Sequence, residues 1–381
     1  MGKNLLNIFI IVFIMAFHCC QKNVIENSTS IRDAEDIIYT ENNDKPLSST
    51  FELKFSQDLS LFEDDWWPLS LLIDEPGNIY VRTSPGRGLR KFSPSGNEID
   101  RKEFPKGQAP GEFNGFDPCL SKNGNLYIAD WSQRRLTTLD ASFKILELSK
   151  LKLYGFIFRL DSRNNMYFLS VELLPNTTSR QKLVFTKCSP SGDPVLRIHE
   201  YEWGQYQDNN GIYHSDAFRT QLRYKIDSKD NAYYAATNKY EINVISPDEK
   251  IIKRITKKGK SRKLTQNEIN SFEPEKPNSR SVTDIPENMP YIADLFLLEN
   301  DFLLVVTFES GEDDDYLLGD IFNDAGIYEA QVKVPKYYRW NYLIAPSKRG
   351  AILKNNCFYT IESDENEELF WVKRYKVAWN Y

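Results

Sequence analysis

Six times along this chain a polar turn ends on Asn or Asp and runs directly into an apolar, usually aromatic, strand. The copies are Gly77-Asn78-Ile79-Tyr80-Val81, Gly124-Asn125-Leu126-Tyr127-Ile128, Asn164-Asn165-Met166-Tyr167-Phe168, Asp230-Asn231-Ala232-Tyr233-Tyr234, Asn300-Asp301-Phe302-Leu303-Leu304 and Asn355-Asn356-Cys357-Phe358-Tyr359. One hairpin-like signature recurring at intervals of tens of residues marks a repeat architecture, and a repeat built from strands points to a propeller.

A second turn recurs in the same units, at Ser93-Pro94-Ser95-Gly96, Ser189-Pro190-Ser191-Gly192 and Ser246-Pro247-Asp248-Glu249, with variants at Asp140-Ala141-Ser142 and Asn323-Asp324-Ala325-Gly326. Pro presets the first turn dihedral and Gly admits positive φ. In three units this turn follows the Asn by the same 16 residues: Asn78 to Pro94, Asn125 to Ala141 and Asn231 to Pro247. Each unit therefore reads as strand a, turn, strand b, connection, strand c, turn, strand d. The sixth unit lacks strand d, because Leu369 to Val377 still reads as strand c. At the other end Phe51-Glu52-Leu53-Lys54-Phe55 alternates as a strand and precedes the first strand a. The expected fold is an all-β, six-bladed β-propeller of four-stranded antiparallel blades, its ring closed by the N-terminal strand Phe51 to Leu59, which hides both edges.

The stretch Gly107-Gln108-Ala109-Pro110-Gly111-Glu112-Phe113, followed by Pro118, Gly124-Asn125-Leu126-Tyr127-Ile128-Ala129-Asp130 and Arg134-Arg135-Leu136, resembles the NHL-type six-bladed propellers. The likeness covers roughly residues 51–381 and is most specific in the second unit. It implies that Asp130 caps backbone and pairs with Arg134 or Arg135.

Residues 1–20 have the form of an export signal: basic Lys3, an apolar stretch from Leu5 to Phe17 broken by Asn7, then Cys19-Cys20. The paired cysteines resemble a bacterial lipoprotein cleavage site, with Cys20 as the lipidated residue and Cys19 or an ordinary cleaved signal as alternatives. Gln21 resembles outer-membrane sorting. Together with the repeats, the whole resembles the six-bladed propeller lipoproteins of Gram-negative bacteria, which implies an outer-membrane, lipid-anchored location. Residues 21–50 are polar and non-periodic and read as a flexible tether, leaving 51–381 for the propeller. Cys119, Cys188 and Cys357 fall in or beside strands of different blades and read as buried small apolar residues. The net charge of -6 gives no support to nucleic-acid binding.

Successive strands of a meander reverse, so b–c and d–a connections emerge on one face and a–b and c–d turns on the other. Every long insertion belongs to the first group: Glu172 to Lys182 and Glu309 to Asp315 between b and c, and His199 to Leu222 and Thr256 to Pro290 between d and a. Aromatic residues gather there too. Trp66, Trp67, Trp131, Tyr201, Trp203, Tyr337 and Trp340, with Arg339, form the candidate ligand-binding set, since flat amphipathic rings beside Arg suit sugars, peptides or aromatic ligands. Within the inserts, Thr265 and Glu268 form a capping box for a short helix, and the run from Lys250 to Lys263 holds eight Lys or Arg and no acid, which reads as a solvated strand edge, the alternative in an exported chain being contact with anionic lipid or polysaccharide. His199 and His214 lie fifteen residues apart without a supporting carboxylate pattern, and Glu312-Asp313-Asp314-Asp315 lacks the spacing of a calcium loop. No catalytic constellation, cofactor or metal site is expected. The function expected is a membrane-tethered binding module for a small molecule, glycan, peptide or partner protein. The alternative is a metal-dependent hydrolase or lyase of lactonase type, for which the acids Asp74, Asp161 and Asp227 sit on the wrong, pared-down face.

Overall fold

A computed structural model describes residues 29–380 except 31, 44–45, 47–49, 63–66, 85–86, 154, 175–180, 204, 208–211, 217–219, 260, 267–268, 271–280, 311–315, 338–349 and 365–368. It forms a propeller of six four-stranded antiparallel blades. Strands a to d of the first blade are Trp67–Ile73, Ile79–Ser84, Gly88–Phe92 and Glu98–Glu103. The second comprises Asp117–Leu120, Leu126–Asp130, Arg135–Leu139 and Ile145–Lys150, and the third Gly155–Leu160, Met166–Leu173, Gln181–Cys188 and Pro194–Glu202. The fourth is Leu222–Ile226, Ala232–Ala236, Glu241–Ile245 and Lys250–Lys257, and the fifth Ile292–Leu297, Leu303–Ser310, Tyr316–Phe322 and Tyr328–Pro335. The sixth takes strands a to c from Ala351–Lys354, Cys357–Ser363 and Phe370–Asn380, and its outer strand from Thr50–Phe62. The a strands contact one another in blade order, and the sixth returns to the first.

The repeated Asn has a local cause. The residue before it must turn the chain with positive φ, and Gly77, Gly124, Asn164, Asp230 and Asn355 do so at 89°, 84°, 61°, 65° and 53°. Gly, Asn and Asp carry the smallest penalty for that conformation. The Asn itself is clipped by the Asp that ends strand a. Asp74 accepts from the backbone N–H and Nδ2 of Asn78 (2.7 and 2.8 Å), and Asp161 and Asp227 do the same for Asn165 and Asn231 at 2.8 Å for every bond. These acids are turn clips, as their position in the sequence implies. In the second blade Ser121 replaces the acid and donates to the Asn125 carbonyl (2.9 Å).

Period-two alternation places one row of each sheet against the next blade. Six apolar clusters result, one per blade interface, as with Phe104, Phe113 and Phe116 between the first and second blades. The closing strand serves two of them: Phe51 (6% exposed) enters the cluster between the fifth and sixth blades, and Leu59 (7%) the one between the sixth and first. Cys119 and Cys188 are buried and unpaired in the cluster between the second and third blades, and burial pushes both thiols up to about 12.

Within the segment expected as a tether, Thr29–Ser30 pairs parallel with the outer strand of the third blade, and Arg32–Asn42 with that of the fourth. The chain thus adds a fifth strand to each. The buried Asn42 side chain anchors this belt to the fifth blade, donating to the Gly326 carbonyl (2.9 Å) and accepting from the Tyr328 N–H (2.8 Å).

Candidate ligand-binding face

The two d–a inserts fold onto one another. Gln205–Gln207 and Tyr213–Asp216, from the connection after the third blade, pair antiparallel, and Ser281–Asp284, from the connection after the fourth, joins them in parallel. His214 Nδ1 lies 3.7 Å from Asp284 Oδ2 across this small sheet. Further along the second insert Gln266, Ile269 and Asn270 are helical, the Ile269 N–H donating to the Thr265 carbonyl (3.0 Å), and Leu264 packs into the cluster between the fifth and sixth blades.

The candidate aromatics divide. Trp67, the first residue of its strand, is 46% exposed. Tyr201 and Trp203 are half-buried: Tyr201 lies 6.1 Å from the His199 ring, and the Trp203 backbone N–H donates to the Gln181 carbonyl (2.9 Å). Trp131 and Tyr337 belong to the core. Trp131 packs 5.4 Å from Phe168 between the second and third blades. Tyr337 packs on Phe296 and Phe358, and its hydroxyl donates to Asp294 Oδ2 (3.4 Å). Trp66, Arg339 and Trp340 lie outside the described residues, as does Cys20.

Asp130 caps backbone as expected, accepting from the N–H groups of Asn114 (2.7 Å), Gly115 (3.0 Å) and Gln133 (3.2 Å) and from the Ser132 hydroxyl (2.7 Å). Arg135 is aimed elsewhere, at the carbonyls of Gln108 (2.9 Å), Ala109 (3.0 Å) and Glu112. The guanidinium fork is better matched to that turn of stacked carbonyls than to an acid already filled by four donors.

Register exposes a feature that single-strand reading misses. The second residue of each strand b, aromatic in five of the six blades, faces Leu72, Cys119, Arg159, Lys225, Phe296 and Leu353 on the a strands. Two residues nearer the insertion-bearing face stand Ser70, Asp117, Arg223 and Asp294 on four of those strands. Arg159, Arg223 and Lys225 thus share the inner ring with Asp117 and Asp294, and the half-buried Arg82 lies 5.8 Å from the Phe116 ring beside them. Lys225 Nζ sits 3.9 Å from Asp294 Oδ1 and 4.6 Å from the Phe296 ring. Burial pushes its ammonium down to about 8; Asp294 opposes the shift, and Arg159 and Arg223 add to it. Arg159 and Lys225 share a place in the repeat, each six residues before a repeat Asn, but nothing within one strand shows that they meet. Among the described residues no three His, Cys, Asp or Glu side chains are grouped as a metal ion would require.

No protein-family model matches the chain, and neither does any curated protein. Solved structures do. A candidate exported protein of Bacteroides fragilis matches at 13% identity and a TM-score of 0.49, over 91% of this chain and 100% of that one. A member of the DUF4221 family from Bacteroides vulgatus matches at 10% identity and 0.49, over 86% and 98%. Virginiamycin B lyase of Staphylococcus aureus matches at 10% and 0.43, over 86% and 99%. At such identities the likeness concerns the fold alone, the six-bladed propeller already described.

Proposed function

We propose that the protein is an extracytoplasmic binding module, held to the outer membrane through a lipid on Cys20, that recognises a glycan, peptide or partner protein with its insertion-bearing face. The observation that carries this reading is the joining of two separate inserts into one hydrogen-bonded sheet over that face. Loops braced on a rigid scaffold are where binding usually resides. Independent surface drift gives no reason for two inserts, more than sixty residues apart in sequence at their paired strands, to pair with each other.

Alanine replacements of Trp67 and Trp203 test it in glycan and peptide array binding, with Trp131→Ala as the core control. Loss of a ring that contacts only ligand weakens binding by about 1–3 kcal/mol and leaves the melting temperature unchanged. Loss of the packed Trp131 ring costs about 3–5 kcal/mol of stability. Arrays without a hit that competes with Trp67 or Trp203 sink the reading. The anchor is tested separately: Cys20→Ser should move the protein from the membrane to the soluble fraction, and continued membrane fractionation overturns lipidation there.

A further inference from the structure

The basic run after the fourth blade acquires a place in the fold. The connection Asn238-Lys239-Tyr240, the strand end Lys257-Lys258-Gly259 and Tyr291 at the start of the fifth blade line an open cleft of about 920 Å³ on the insertion-bearing face. Next to it a small enclosed cavity of about 20 Å³ shares Tyr240, Lys257, Lys258, Gly259 and Tyr291 and is bounded further by Arg262, Phe308 and Glu309.

The floor is fixed from beneath. Asp320, fully buried on strand c of the fifth blade, accepts from Lys257 Nζ (2.8 Å), the Tyr240 hydroxyl (2.5 Å), the Tyr328 hydroxyl (2.8 Å) and Gln331 Nε2 (3.3 Å). Lys257 also lies 4.4 Å from the Tyr328 ring. The buried carboxylate thus holds both the ammonium and the ring of Tyr240 at the cleft floor and balances one of the cleft's charges. Lys239 and Lys258 remain at the rim. Lys258 pairs with Glu41 of the belt at 2.7 Å, but both side chains are 64% exposed, so the pair is worth little and yields readily to a better anion. The cleft lining carries three lysines, of which Lys257 is balanced by Asp320 and Lys258 pairs with Glu41, while Glu309 borders the adjoining cavity. Two tyrosines and one Asn accompany them.

We propose that this cleft binds an acidic saccharide, its carboxylates meeting Lys239 and Lys258 and its ring faces meeting Tyr291. Lysines supply charge, tyrosine faces supply flat apolar area, and Asn238 supplies donors and acceptors for hydroxyls. The inference rests on the reading of this face as the binding face and names the ligand chemistry of one part of it.

The test is calorimetric titration of the full chain, without its first 20 residues, with short oligogalacturonate and oligoalginate, and with methyl-esterified oligogalacturonate as the uncharged control. One acidic probe should bind at least about tenfold more tightly than the ester, and Lys239→Gln and Lys258→Gln should each weaken it about fivefold or more, the order expected for loss of one charged contact. Both lysines are exposed, so neither variant threatens folding. Binding should also fall with added salt. No binding of either acidic probe, equal binding of acid and ester, or unaltered affinity in both lysine variants overturns the proposal. The broader reading fails on a different result. If an array ligand competes with Trp67→Ala while acidic probes do not bind, the face survives and the cleft does not. Binding that needs the lysines but ignores Trp67 and Trp203 keeps the cleft and discards the wider aromatic face.

Discussion

Removing residues 1–62 should abolish the cooperative unfolding transition, whereas removing residues 1–43 should leave it in place at a lower midpoint. Thr50–Phe62 pairs with the whole of Phe370–Asn380 and is the only outer strand the sixth blade has among the described residues. Its Phe51 and Leu59 fill clusters on opposite sides of that blade. Two such side chains are worth about 3–6 kcal/mol of burial, at roughly 1.5–3 each, before any backbone pairing is considered. Native stabilities run about 5–15 kcal/mol, so the ring has little left after the loss, and a long bare edge invites aggregation. The shorter deletion removes a fifth strand whose Ile38 and Tyr39 are already exposed, together with the Asn42 anchor. A point probe acts at the same junction. Gly96 holds φ at +90°, and a Cβ there would stand 2.2 Å from the Leu59 carbonyl oxygen. Gly96→Ala should therefore cost at least about 1–3 kcal/mol, from the backbone conformation alone. Denaturant titration followed by tryptophan fluorescence reads all three variants. A wild-type midpoint after removal of residues 1–62 would show that the ring closes without this strand.

The blades are legible in the sequence because each is bounded by turns whose chemistry leaves few options. Asn164, Asp230 and Asn355 stand where the backbone needs positive φ, and the apolar aromatic run that follows fixes which strand comes next. The missing strand could be found by counting, since a unit without strand d and a leftover alternating strand fit each other. The belt could not. Arg32–Asn42 is polar, and its pairing adds a parallel strand to an edge that was already complete. What ties it to the fifth blade is Asn42, with Thr40 beside it, meeting backbone groups almost 300 residues away. Nothing local marks such a residue.

The insertion-bearing face was half legible for a different reason. Strand alternation tells on which end of the sheet a residue lies, and that much held for the inserts, which do fold together. It does not tell whether a ring just beyond a strand turns outward or into the gap between blades. Trp67 and Trp131 look alike in sequence, yet Trp67 is 46% exposed and Trp131 9%. Trp131 follows Asp130, whose carboxylate is saturated by backbone of the preceding loop, and the chain there closes against the third blade. The charged inner ring and the Asp320 network went unread because each joins residues of different blades. Tyr240 and Asp320 are 80 residues apart, and only the packing of blade on blade brings them to 2.5 Å.

Asp320→Ala should be the most damaging single substitution in the cleft region, at about 3–5 kcal/mol. Its carboxylate is 0% exposed and Lys257 only 10%, so removal leaves a largely buried ammonium without its counter-charge. Breaking a buried pair by deleting one partner costs about that much, because the surviving charge keeps its desolvation penalty. Three further donors lose their acceptor as well: the hydroxyls of Tyr240 and Tyr328, and Gln331 Nε2. Lys257→Met should cost less, since the carboxylate would keep those three donors. The double variant Asp320→Leu with Lys257→Met removes both charges and should regain part of the loss, as replacements of buried pairs by apolar residues often do. The discriminating quantity is the coupling between the two positions in a double-mutant cycle built from Asp320→Leu, Lys257→Met and their combination, measured by denaturant titration. A coupling below about 0.5 kcal/mol, or a loss under about 1 kcal/mol for Asp320→Ala, would mean that water reaches the pair and that the cleft floor is not the fixed surface on which the acidic-ligand proposal depends.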